Sequence, residues 1–180
     1  YNVNWESEDW RGLWEEWRPH KGSDERLRSM TIITTTPNEV MADILHEFHR
    51  RRADISYYPI VGSGPNSCVL HYRDNSRQMQ EGELLLIDAG CEFDYYASDV
   101  TRTLPVGGRY GRRQRAVYEV VLEAQRAAIA KVQAGAHWNE PHEAAVRAIT
   151  KGLVRIGLLK GRVPKLIKDG AYRQFFMHRV

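Results

Sequence analysis

Cysteine is scarce: Cys68 and Cys91 are the only two in 180 residues. They form no C-x-x-C pair, which excludes a disulfide-dense scaffold and fits a reducing compartment, so the cytoplasm is the expected location. Both read as small core residues. No stretch approaches the ~18 consecutive apolar residues that a membrane span requires, and the start shows no basic-then-apolar leader pattern. An excess of one charge is also missing. The net charge is only +3, and the basic residues are interleaved with acidic ones, so neither nucleic acid nor a membrane surface is expected as a partner. Internal repeats are absent. What is present, 42% hydrophobic and 27% charged residues, suits a globular chain able to bury a core. The sequence opens on Tyr1 rather than Met, as a processed form or a piece of a longer protein would.

The first 36 residues stand apart in composition, because Trp5, Trp10, Trp14 and Trp17 are four of the five tryptophans. Trp10, Leu13, Trp14 and Trp17 fall at helical spacing and read as a docking stripe on an amphipathic helix. Residues 20–36 read as a connection. A stronger helix follows at about 37–52, where Thr36-Pro37-Asn38-Glu39 is a capping-box pattern and Met41, Ile44, Leu45 and Phe48 share a face. Two further helices are expected. Val117, Val120, Val121, Ala124, Ala128 and Val132 form the face of one, with Gly135 ending it. Asn139 caps the other, its face being Val146, Ile149, Leu153 and Ile156, with Gly157 or Gly161 as its stop.

Between these helices the pattern changes to strands. Tyr57–Val61 and Cys68–Tyr72 are strand candidates flanking a turn at Gly62-Ser63-Gly64-Pro65-Asn66. Those glycines fall short of a phosphate-binding G-x-G-x-x-G because Ser67 stands at the last glycine position. Leu84-Leu85-Leu86-Ile87 reads as a strand buried on both faces and runs straight into Asp88. Residues 95–104 form the next strand candidate, ended by Pro105 and Gly107-Gly108.

Asp88 and Asp99 are the informative pair. Each lies on a strand otherwise suited to the core, where an unpaired carboxylate is costly. An antiparallel hairpin centred on Phe93 and Asp94 would set Asp99 directly opposite Asp88 on one face. Two like charges so placed repel unless a cation lies between them, and paired metal ions use such carboxylates. A register shifted by a bulge at Gly90, with one aspartate paired to Arg102 or facing water, is the competing arrangement.

Several motifs then share a resemblance. Ile60-Val61-Gly62-Ser63-Gly64-Pro65-Asn66, Leu70-His71-Tyr72, Leu86-Ile87-Asp88-Ala89-Gly90-Cys91-Glu92 and Tyr96-Ala97-Ser98-Asp99-Val100-Thr101-Arg102-Thr103-Leu104-Pro105-Val106 resemble, in order and interval, the motifs of Xaa-Pro aminopeptidases (aminopeptidase P). The likeness runs from about Pro37 to His178, and residues 1–36 fall outside it. It implies a partial pita-bread α/β fold, an antiparallel sheet with covering helices, as the catalytic domain over 37–180. It further implies two divalent metal ions, Mn2+ being the expected pair, held in the whole enzyme by two Asp, one His and two Glu. Asp88 and Asp99 match the two aspartates of that set. His71 and His178 match histidines lining the substrate pocket, whereas His20, His46, His49, His137 and His142 have no such context.

After His178 the sequence reads Arg179-Val180, where the family has glycine and then the ligand histidine. One His and two Glu ligands therefore have no counterpart in these 180 residues. The resemblance implies hydrolysis of the bond between an N-terminal residue and a following proline, on peptide substrates, with self-association left open. The chain by itself is expected to be an inactive piece of that enzyme, with no certain catalytic residue within it. Other readings are a metal-free pita-bread binding module, a non-functional remnant and, within the fold, prolidase or methionine aminopeptidase.

Overall fold

The computed structural model describes residues 36–177, so the Trp-rich stripe and His178 lie outside the described residues. The described part divides into two compact units, one ending at Arg109 and the other starting at Tyr110.

The first unit opens with helix α1, Pro37–Arg50. Proline at its first turn costs no hydrogen bond, and the Glu39 carboxylate reaches back to accept the Thr36 N–H at 2.7 Å. Six short strands follow: β1 Asp54–Ile55, β2 Ile60–Ser63, β3 Leu84–Ala89, β4 Cys91–Phe93, β5 Tyr96–Ala97 and β6 Val100–Pro105. They form two antiparallel sheets, ordered β2-β3-β6 and β1-β4-β5. Met41 of α1 meets Val61, Met79 and Leu85 in a buried cluster, with Val40, Ile44, Leu45, Ile87 and Val106 packed around it. β3 holds the central place with its backbone paired on both edges, but it is not buried on both faces as its apolar run suggested: Leu85 is buried, whereas Leu84, Leu86 and Ile87 are half-buried.

The hairpin register differs from the sequence expectation. Asp88 pairs with Thr101, not Asp99, and Ala89 with Val100. The same register continues through Glu92 with Ala97 and Phe93 with Tyr96, which leaves Asp94 and Tyr95 as the turn. Both have left-handed backbones, φ 50° and 68°, as a two-residue hairpin turn matched to strand twist demands. The sequence reading missed it because neither residue is glycine. At the hairpin's middle, residue 90 is glycine through close approach: a Cβ there would stand 1.9 Å from the Ser98 carbonyl oxygen and 2.4 Å from Ser56 Oγ.

Other expectations also need correction. No strand forms over Cys68–Tyr72. Gly64–Cys68 is instead a 3-10 turn, Val69 and Leu70 are exposed, and His71 has a left-handed backbone at φ 53°. The β propensity of those residues finds no neighbouring strand to pack on. Gly62 and Ser63 belong to β2, so the turn starts at Gly64. That glycine has φ 54°, and the Glu83 carboxylate occupies the space a Cβ would need. Glu83 also binds Arg77 through two bonds of 2.6 and 2.7 Å. The single strand expected over 95–104 is interrupted at Ser98 and Asp99, and Cys68 is exposed rather than a core residue.

The second unit is helical: α2 Arg112–Ile129, α3 Glu140–Arg155 and the short α4 Val163–Lys168. Ala124 and Ala128 of α2 pack on Ala145 of α3, joined by Ala148, Ile149 and Phe176. The α2 face is narrower than expected, since Val117 and Val121 are exposed and Val132 lies beyond the helix. Small residues let the axes approach closely; Val120 fills the space where a Cβ on Gly152 would sit, 2.4 Å from its methyl carbon. An Arg155–Glu123 ion pair at 3.0 Å ties the outer edges of α2 and α3.

Candidate functional site

Asp88 is the fifth of six residues in β3, so pairing with Ile60 on one side and Thr101 on the other fixes the direction of its side chain. Asp99 lies in the two-residue link between β5 and β6. The register shift moves it from directly opposite to diagonal, which preserves the common face, because strand side chains alternate with a period of two. Asp88 is half-buried and Asp99 exposed.

Tyr57, just before β2, brings the two carboxylates together. Its Oη lies 2.5 Å from Asp88 Oδ1 and 3.0 Å from Asp99 Oδ1. A phenol has one hydrogen to donate, so it serves one carboxylate at a time, and the shorter contact is to Asp88. Burial, followed by the hydrogen bonds to Asp88 and Asp99, holds the Tyr57 hydroxyl well above its ordinary titration range. It stays protonated at neutral pH. The three side chains open into a cleft of about 320 Å³ that Tyr58, Ile60, His71 and Arg73 also line.

The structure therefore brings together Asp88, Asp99 and His71 of the residues singled out in the sequence. Tyr57, Tyr58 and Arg73 were missed. No local pattern marks Tyr57: it is the pairing of Ile60 with Asp88 that brings the chain immediately before Ile60 to the end of β3 that carries the aspartate.

Two carboxylate oxygens converging on one small polar atom form an arrangement that a hard divalent cation suits, since all-oxygen donors favour such ions. Among the described residues, however, no group of three or more His, Cys, Asp or Glu side chains comes together. The donors present fit such an ion in kind, and Asp88 and Asp99 are the two that could hold it.

Comparison with known proteins decides the family. The profile described as metallopeptidase family M24 matches residues 22–180. The chain belongs to metallopeptidase family M24. Among M24 relatives, the Xaa-Pro aminopeptidase of Haemophilus influenzae is 44% identical over 187 aligned residues, covering 94% of this chain and 44% of the relative. That of Escherichia coli K12 is 40% identical, covering 94% and 42%. Aminopeptidase PepP of Pseudomonas aeruginosa superposes with a TM-score of 0.79 at 48% identity, covering 86% of this chain and 36% of that one. Zinc-substituted E. coli aminopeptidase P in complex with product gives 0.78 at 42%, with the same coverage. The fold is thus part of the M24 pita-bread α/β architecture, antiparallel sheets with helices. The chain spans less than half the length of the curated relatives named here.

Proposed function

We propose that this chain is the portion of a metal-dependent Xaa-Pro aminopeptidase that contributes Asp88 and Asp99 to a centre of two divalent ions, Mn2+ by preference. The observation that carries this reading is the convergence of both carboxylates on the Tyr57 hydroxyl. Substrates are peptides with proline in second place. The ions, when bound, would polarise the scissile carbonyl and activate water. Asp88 and Asp99 hold them, Tyr57 positions the two carboxylates, and His71, at the cleft wall, contacts the substrate together with His178. We assign the protein to the cytoplasm.

The chain by itself does not turn over substrate in this reading, because two carboxylates leave most coordination positions of two ions unfilled. Purified chain with added Mn2+ is tested for release of alanine from Ala-Pro-Ala, alongside metal analysis after dialysis. The expected result is weak Mn2+ binding, lost in Asp88→Asn and Asp99→Asn, without alanine release. Turnover would overturn the inactivity. Failure to bind any divalent ion would favour the metal-free binding module, and a chain without cooperative unfolding would favour the remnant.

A further inference from the structure

The cleft is lined by side chains of both charges. Asp88 and Asp99 supply the negative charge, and Arg73 lines the same cleft. Among the described residues no carboxylate stands within ion-pair distance of the Arg73 guanidinium; its partner is the ring of Tyr58, whose centroid lies 5.0 Å from Cζ. Stacking of this kind restrains the long arginine side chain while its N–H edges stay available, and the planar fork matches a carboxylate with two parallel bonds. A cation held by an aromatic face and left without a carboxylate among the described residues, in a cleft that otherwise carries negative charge, is a site suited to an anionic ligand. A substrate cut next to its N-terminus, lying with that end at the aspartates, carries its free α-carboxylate at the other end when it is short.

Resting on the aminopeptidase reading above, we propose that Arg73 is a specificity residue that binds the C-terminal carboxylate of a short peptide whose N-terminal part lies at Asp88 and Asp99. The substrate class is then short Xaa-Pro peptides with a free C-terminus, in preference to long or amidated ones.

The test uses the 180-residue chain saturated with Mn2+. It is titrated calorimetrically with Ala-Pro-Ala whose scissile carbonyl is reduced to a methylene, once as the free acid and once as the C-terminal amide. Hydrolysis then cannot disturb the measurement. The free acid is expected to bind about tenfold more tightly, the scale of a charge-assisted hydrogen bond in a solvated cleft. Arg73→Gln brings the ratio to about one, and Arg73→Lys leaves it between, because charge remains and the fork is lost. A ratio below about twofold in the parent chain, a preference surviving in Arg73→Gln, or no binding of either peptide overturns the assignment. Free Mn2+ counted by electron paramagnetic resonance in the same samples reads the aspartate pair separately. Metal bound without acid preference removes only the Arg73 role, whereas acid preference without bound metal removes the metal reading.

Discussion

Tyr57 joins three sequence segments through one hydroxyl, and its protonation gives a pH dependence of defined sign. Its folded value is raised above the unfolded one by burial and by the Asp88 and Asp99 carboxylates. Below pH ~10 both states keep the proton, so the stabilisation is complete there. Above that pH the unfolded chain releases its proton while the folded chain holds it, and stability drains away as pH rises. In metal-free buffer, Tyr57→Phe should cost about 1 kcal/mol near neutrality, the usual worth of such a bond, and should show a shallower fall in unfolding midpoint between about pH 9 and 11. Equal slopes in the two proteins would show that the hydroxyl does not hold its proton for the carboxylates. At this scale the sequence was partly legible. Asp88 stood out as a charge ending a core strand, and Asp99 through its motif. Tyr57 did not, because its role arises from the pairing of β2 with β3 and from no local pattern.

Among the elements, the hairpin from Leu84 to Pro105 sets how the two aspartates face each other, and two of its residues have opposite expected effects on substitution. Gly90→Ala would drive a Cβ against the Ser98 carbonyl oxygen, which belongs to backbone and cannot swing aside. We expect a loss of about 3 kcal/mol together with loss of Mn2+ binding, because the displaced segment includes Asp99. Unchanged Mn2+ affinity in a folded Gly90→Ala chain would show that the close approach is not what places Asp99. Tyr95→Gly, at the turn, should do the reverse. Tyr95 is 98% exposed and left-handed at φ 68°, so removing its side chain relieves backbone strain at no packing cost. The gain, net of glycine's extra chain entropy, should be about 0.5–1 kcal/mol by denaturant unfolding. The continuous apolar run Leu84–Ile87 and the aromatic, Val and Thr content of residues 95–104 predicted strands on both sides of this hairpin, but not the break at Ser98 and Asp99. They could not fix the register, because a slip by two residues keeps every side chain on its face and only turn geometry distinguishes the two pairings.

At the scale of the whole molecule, the described chain has one core around Met41, Val61, Met79 and Leu85 and another around Ala124, Ala128 and Ala145. The candidate metal ligands belong to the first. Met41, Ala124 and Ala128 were legible from helical periodicity and Val61 and Leu85 from strand runs, whereas Met79, Ala145 and the limits of the faces were not: a sequence shows that Val117 and Val121 are apolar but not that they stay exposed. Confinement of Asp88 and Asp99 to the first unit predicts how the molecule responds to metal. Ligand bound only by the folded state stabilises it by RT ln(1 + [L]/Kd), about 1.4 kcal/mol at tenfold excess over the dissociation constant. Mn2+ at that concentration should raise the unfolding midpoint of the first unit by about 6–11 °C, with no shift in Asp88→Asn or Asp99→Asn. Hydrogen exchange locates the effect: amides of β2, β3 and β6 should gain protection on adding Mn2+, while those of α2 and α3 keep their metal-free rates. Equal gains in both units would mean that the metal reports on a cooperative whole, and a shift that survives both aspartate substitutions would place the ions elsewhere.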